Sequence, residues 1–110
     1  MRTMIRTSFF DEFYNSLSLS VKTKVNYALN VIAEVKLVNT KLVKKLVDTD
    51  FYELRISTGN EYRVILFTID NENYIEAEQV LLLNGFLKKS TKDYKKALKK
   101  AEQILKVLQK

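Results

Sequence analysis

The apolar spacing of this chain changes period twice, and that change leaves few folds open to it. From Val21 onward, Val25, Ala28, Ile32 and Val35 return every three or four residues, the spacing that gathers side chains on one face of an α-helix. Between residues 51 and 87 the rhythm becomes that of strands. "FYELRIS" (51–57) and "YRVILFTI" (62–69) are rich in aromatic and β-branched residues, and the "TGNE" between them reads as the turn of a β-hairpin. "DNEN" at 70–73 marks a second turn, and a third strand within 75–87 runs through "VLLLNGF" before breaking at Asn84-Gly85. Its unbroken apolar character is that of a strand covered on both faces in the middle of a sheet. Helical spacing then returns, with Tyr94, Ala97, Leu98, Ala101, Leu105 and Leu108 forming one stripe.

Ahead of these segments, Met4 to Phe9 has the character of a short first strand, and Phe10, Phe13, Tyr14 and Leu17 recur at helical spacing. "SLS" at 18–20 is a break, with Ser20 expected to cap the second helix. Residues 36–50 read as a connection containing a helical turn. Ser90-x-x-Asp93 resembles a capping box with aspartate in the place of glutamate. No proline, repeat or low-complexity linker divides the chain, so residues 1–110 are expected to form one domain around one modest core. The expected order is (β)-α-α-β-β-β-α. This is an α+β fold with N-terminal helices packed on a small antiparallel sheet and a basic helix at the C-terminal end. No apolar run suggests a signal peptide or a membrane span, so the expectation is a soluble, cytoplasmic protein with no membrane partner.

The residue inventory excludes much chemistry. With no histidine and no cysteine, zinc sites of the usual nitrogen and sulfur type are impossible, as are Ser/His and Cys/His nucleophilic systems. Two glycines cannot build a phosphate-cradling loop. The carboxylates are scattered, and nothing in the sequence marks Glu53 and Glu61 as a catalytic pair.

What remains is cationic, phenolic and hydroxylic. Residues 1–87 hold ten Lys/Arg against eleven Asp/Glu, whereas residues 88–110 hold nine lysines against Asp93 and Glu102, a net of +7. A nearly neutral body with a strongly basic end points to a polyanionic partner, although lysines on a terminal helix also serve as a merely solvated face. Arg55 and Arg63 lie in strand segments among apolar residues. Each must therefore reach a groove or an ion pair, for which Glu53, Glu61 and Asp70 are the available partners. With the third strand beside the hairpin, Lys88 and Lys89 arrive at the end of the sheet, followed by Ser90, Thr91, Lys92 and Tyr94 at the helix start. There the backbone N–H groups would add attraction for an anion. These groups are expected to converge on one concave phosphate-binding surface. Tyr94 has a second reading as the first member of the apolar stripe.

"FYELRIS…NEYRVILFTID…VLLLNGFLKKSTKDYKKALKKAEQIL", together with "FFDEFYNSL" and the second helix, resembles the RelE/ParE superfamily of bacterial type II toxins. The likeness is closest to the phage-derived, HigB-like branch. Two departures stand out: some HigB-like members carry a C-terminal histidine that this chain lacks, and many read Thr-Pro where it has "TKDY". The resemblance implies an mRNA endoribonuclease acting at the ribosome, without metal or cofactor, and neutralised by a small antitoxin of helix-turn-helix type. It places catalytic roles on Arg63, on Lys88 or Lys89, and on Tyr94. Arg55 becomes a further RNA contact alongside Ser90, Thr91 and Lys92, and Lys95, Lys96, Lys99 and Lys100 are expected to dock ribosomal RNA. The same superfamily fold also serves inhibitors of DNA gyrase, and a non-catalytic RNA-binding module is a third reading.

The implied chemistry suits the inventory. Attack of a ribose 2′-OH on its own phosphate needs in-line positioning, charge neutralisation, a base for the 2′ proton and an acid for the leaving 5′ oxygen. Arginine supplies the clamp. Lysine or tyrosine would have to move the protons, and both have reference pKa values near ~10, so a useful base needs a perturbed environment.

Overall fold

Val64, Ile65 and Leu66 are consecutive, yet all three are 0% exposed, so the strand that carries them is covered on both faces. In the computed structural model, which describes residues 1–109, that strand is the middle one of five. The elements run β1 (Thr3–Arg6), α1 (Ser8–Asn15), α2 (Leu19–Glu34), β2 (Val43–Lys45), β3 (Tyr52–Thr58), β4 (Asn60–Thr68), β5 (Gln79–Leu87) and α3 (Thr91–Leu108). The strand order in space is β1-β5-β4-β3-β2. Lys110, the last of the nine C-terminal lysines, lies outside the described residues.

The α+β class is as expected, with one difference in the sheet. β2, β3, β4 and β5 pair antiparallel, but β1 lies parallel to β5 with Thr3 opposite Gln79 and Arg6 opposite Leu82, so the sheet is mixed. The chain comes back beside β1 only through the run from β2 to β5, after it has been carried to the opposite edge of the sheet by α1 and α2. They cover one face, where Phe10, Val25 and Ile32 meet Leu54, Val64 and Leu82. α3 covers the other, where Ala101 and Ile104 meet Phe51, Ile65 and Leu83.

Other boundaries shift for local reasons. Ser18, not Ser20, caps α2, its hydroxyl accepting from the Val21 N–H at 3.4 Å. The connection over 36–50 contains one helical turn, in which the Asn39 carbonyl accepts from Leu42 and Val43. It also contains β2, an edge strand of three residues and too short to show alternation. The hairpin strands run on to Thr58 and Asn60, leaving Gly59 at the tip with φ +74°, a backbone conformation that favours glycine. In α3 the buried residues are Ala97, Ala101 and Ile104, while Leu108 at the end of the expected stripe is exposed.

The third long strand does not break at Asn84-Gly85; it bulges. Ile65 pairs with Asn84 but Leu66 pairs with Leu82, so β5 carries one extra residue, Leu83, against β4. Gly85 then comes beneath α1, where a Cβ would stand 2.3 Å from the Phe13 ring.

Arg2 fastens the start of the chain to the end of α2. Only 5% exposed, it donates to the carbonyls of Ile32, Val35 and Lys36 and to those of Tyr74 and Ile75. A cation is thereby placed on carbonyls at and beyond the helix C-terminus, which have no intrahelical partner. Its guanidinium also lies over the Tyr74 ring, 4.3 Å from the centroid.

The Tyr74 hydroxyl is buried without a hydrogen-bond partner among the described residues. Burial pushes this phenol up to about 12, against the pull of Arg2. The folded state thus holds the proton more tightly than the unfolded chain. The stability linked to it is complete below pH 10 and is lost as pH rises toward about 12. Tyr74→Phe should be neutral or stabilising at neutral pH, by up to about 1 kcal/mol, because it removes an unpaired buried group. By about pH 11 the wild type should have lost about 1 kcal/mol relative to that variant, as read from urea unfolding at each pH.

Candidate functional site

Strand pairing builds the site. Arg55 lies opposite Arg63, Glu53 opposite Ile65, and Arg63 opposite Phe86, so these side chains share the face covered by α3. α3 then brings Tyr94 down from its first turn onto Phe86, edge to face with ring centroids 5.3 Å apart. The start of α3 is fixed by Asp93, whose Oδ2 accepts from the backbone N–H groups of Lys89 and Ser90.

At the centre is Glu53, 1% exposed. Its Oε1 accepts from Arg55 Nε at 2.9 Å, and its Oε2 stands 3.8 Å from Arg63 Nε with no hydrogen bond of its own. Arg63 is also buried, at 4% exposed. Its Nε donates to the Tyr94 hydroxyl at 2.9 Å and its Nη1 to the Tyr62 carbonyl at 2.9 Å. Nη1 and Nη2 both reach Glu61 Oε1 at 3.3 Å. The same oxygen accepts from Ser57 Oγ at 2.8 Å. Lys88 closes the rim: its N–H donates to the Glu61 carbonyl at 2.8 Å, and its Nζ lies 5.7 Å from the centre of the Tyr94 ring.

The electrostatics follow from these contacts. The Ser57 hydrogen bond, then Arg63 and Lys88, hold the Glu61 carboxyl below its ordinary range, so it is ionised at neutral pH. Burial works against the charge of Arg63, but the Tyr94 hydroxyl and the carboxylates of Glu53 and Glu61 outweigh it and hold the guanidinium above its usual value. Burial and the nearby Glu53 carboxylate raise the Tyr94 phenol, with Arg63 opposing. Tyr94 therefore carries its proton at physiological pH, with Arg63 the one neighbour that draws the phenol toward releasing it.

Of the residues singled out in the sequence, Arg55, Arg63, Lys88 and Tyr94 come together. The others do not join them. Lys89, Ser90, Thr91 and Lys92 are exposed around the helix start, and Lys95, Lys96, Lys99 and Lys100 are exposed along α3, mostly on its outer side. None of these lysines forms a salt bridge among the described residues. The N–H groups of Lys89 and Ser90 are not open to a ligand, because Asp93 already occupies them. Asp70 is not a partner of either arginine; its carboxylate accepts from the N–H groups of Glu78 and Gln79. Both arginines have found ion pairs, on Glu53 and Glu61.

What sequence reasoning did not reach is that Glu53, named there only as a possible ion-pair partner, lies buried at the centre of the cluster. The available signal was "ELR" in a strand segment, where an acid two residues before an arginine shares its face.

The family model described as Phage derived protein Gp49-like (DUF891) matches residues 12–106, a span that includes every member of this cluster. The chain belongs to the phage-derived Gp49-like family. Among curated proteins nothing matches it.

The buried cluster of this Gp49-like chain sets a clear test. Glu53→Leu removes the common partner of two arginines, one of them buried, and should destabilise the fold by about 3–5 kcal/mol. Arg55→Ala takes away the one hydrogen bond of that buried carboxylate but leaves Arg63 beside it, and should cost less, about 1–3 kcal/mol. Urea unfolding of the two variants reads both values. Equal costs would mean that the Arg55 pair alone carries the effect and that Arg63 does not depend on Glu53.

Proposed function

We propose that this chain is the toxin of a type II toxin–antitoxin pair, a ribosome-associated endoribonuclease that cuts mRNA in the cytoplasm without metal. Membership in the Gp49-like family supports the reading, since that family is associated with RelE and toxin-like proteins. The resemblance to the HigB-like branch belongs to the same proposal. The observation that carries it is the meeting of Arg55, Arg63, Lys88 and Tyr94 on one face, with the Arg63 Nε–H on the Tyr94 hydroxyl at 2.9 Å.

In this mechanism the RNA 2′-OH gives up its proton to water as its oxygen attacks the adjacent phosphorus. A bond from 2′ oxygen to phosphorus forms, the bond to the 5′ oxygen breaks, and the products end in a 2′,3′-cyclic phosphate and a 5′-OH. Arg55 and Lys88, the more open cations, hold the non-bridging oxygens while Arg63 neutralises charge growing on the pentavalent phosphorus. Tyr94, which keeps its proton at neutral pH, gives it to the departing 5′ oxygen, and Arg63 on the phenol oxygen works against the upward shift that would otherwise weaken this acid. Removing only that hydroxyl with Tyr94→Phe should lower the cleavage rate by about 100-fold or more. The measurement is 5′-end mapping of mRNA after inducible expression, with wild type and variant at matched levels. Full activity in the variant would make Tyr94 a packing residue. Absence of new 5′ ends together with blocked supercoiling would move the chain to the gyrase inhibitors.

Lys95, Lys96, Lys99 and Lys100 are assigned to docking on ribosomal RNA, apart from the chemistry. Changing all four to glutamine should weaken ribosome binding and flatten its salt dependence, because each phosphate contact releases condensed counterions. Residual cleavage of naked RNA should be nearly unaltered. Co-sedimentation with ribosomes across a salt series measures the effect, and an unchanged slope would leave these lysines a solubilising face. A small helix-turn-helix antitoxin rich in acidic residues would cover the same helix and compete with the ribosome for it.

A further inference from the structure

Arg63 is enclosed on two sides by carboxylates of different standing. Glu53 lies beneath it and is 1% exposed, whereas the side chain of Glu61 lies toward solvent and is 46% exposed. Glu61 Oε1 receives three donors at once: Nη1 and Nη2 of Arg63 at 3.3 Å each, and the Ser57 hydroxyl at 2.8 Å. A guanidinium edge converging on one anionic oxygen with a hydroxyl beside it is also the arrangement that receives a non-bridging phosphate oxygen.

We infer that the Glu61 carboxylate is the resident occupant of a phosphodiester subsite, and that RNA enters by displacing it. This inference rests on the nuclease reading, since it names how that same site takes its substrate. The exchange is even in charge: a carboxylate and a phosphodiester each bring one negative charge, so Arg63 is never left unpaired. Glu53 stays in place beneath the guanidinium and keeps it fixed while the upper partner changes. Only the Glu61 side chain has to move, because the Lys88 N–H holds its carbonyl in the sheet at 2.8 Å. Lys88 and Arg55 flank the position that opens. Ser57 works in the opposite sense, holding Glu61 over the site.

A site that is closed for part of the time binds its ligand in proportion to the open fraction. If Glu61 covers Arg63 in about nine molecules of ten, freeing the site should tighten binding by about tenfold. The probe is a short single-stranded RNA with a 2′-O-methyl group on every ribose, which cannot be cleaved by 2′ attack. Its affinity is read by fluorescence anisotropy at fixed salt. Glu61→Gln should bind about tenfold more tightly than wild type, and Ser57→Ala should shift in the same direction by a smaller factor. Glu102→Gln, which removes the same charge from an exposed position on α3, should change affinity by less than about twofold. A Glu61→Gln affinity no tighter than that of Glu102→Gln overturns the inference, as does failure of both wild type and Glu61→Gln to bind the probe. Cleavage of an unmodified RNA of the same sequence is measured in parallel. Tight, Glu61-dependent binding without cleavage upholds the subsite and removes the nuclease assignment. Cleavage with no Glu61 effect on affinity does the reverse.

Discussion

The single extra residue in β5 decides which side chains face which layer. Before the bulge, Leu82 points toward α1 and α2 and Leu81 toward α3. Leu83 and Asn84 then both turn toward α3, where Leu83 joins its core and Asn84 Nδ2 donates to the Ala97 carbonyl at 3.2 Å. Past that point the alternation runs in the opposite phase. Gly85 faces Phe13, and Phe86 faces Arg63 and Tyr94. A regular strand would have put Phe86 against α1 and a glycine beneath Tyr94. The pocket for the phenol, and with it the hydrogen bond to Arg63, depends on that shift.

Burying two charged side chains in a domain of this size is costly unless each compensates the other. The N–H donors of Arg63 are met by a phenol, a backbone carbonyl and the Glu61 carboxylate, with the Glu53 carboxylate near enough to balance its charge. Glu53 is less completely satisfied, with one oxygen on Arg55 and the other beside Arg63 but not hydrogen-bonded to it. The cluster therefore does not simply stabilise the sheet. It fixes the orientation of Arg63 at the cost of an imperfectly paired carboxylate, as expected where charge is held ready for a ligand.

Much of this organisation was legible in the residues. The helical spacing of α2, the hairpin around "TGNE" and the two-sided burial of β5 all followed from period and composition, because each is a repeated local preference. The features that were missed are single events. β2 has three residues and no period to detect, and the β5 bulge adds one residue to a run that reads as apolar throughout. Ser18 and Ser20 are chemically equal as caps, and the extended backbone at Ser18 is what places the helix start there. Arg2 looks like any terminal arginine until the fold brings carbonyls from two distant segments around it. In the site, Arg55 and Arg63 were marked as cations within apolar strand segments, Lys88 by following the last strand, and Tyr94 by standing in the first turn of α3. The lysines of α3 were drawn in by charge alone, and charge does not specify direction. Glu53 was named only as a possible ion-pair partner, because a carboxylate beside an arginine resembles an ordinary surface pair until its burial is known.

The parallel pairing of β1 with β5 also imposes an order in time. β1 is the first strand to be synthesised, yet its only partner in the sheet lies at residues 79–82. During translation it must wait for most of the chain, with Arg2 unable to reach the carbonyls of Tyr74 and Ile75 until those residues exist. Tyr94 emerges later still, 31 residues after the arginine it meets. A nascent chain interrupted before that point has Arg63 without its phenol and a sheet with one face bare. The Arg63–Tyr94 cluster is thus among the last parts of the molecule to form, and an incomplete translation product lacks it.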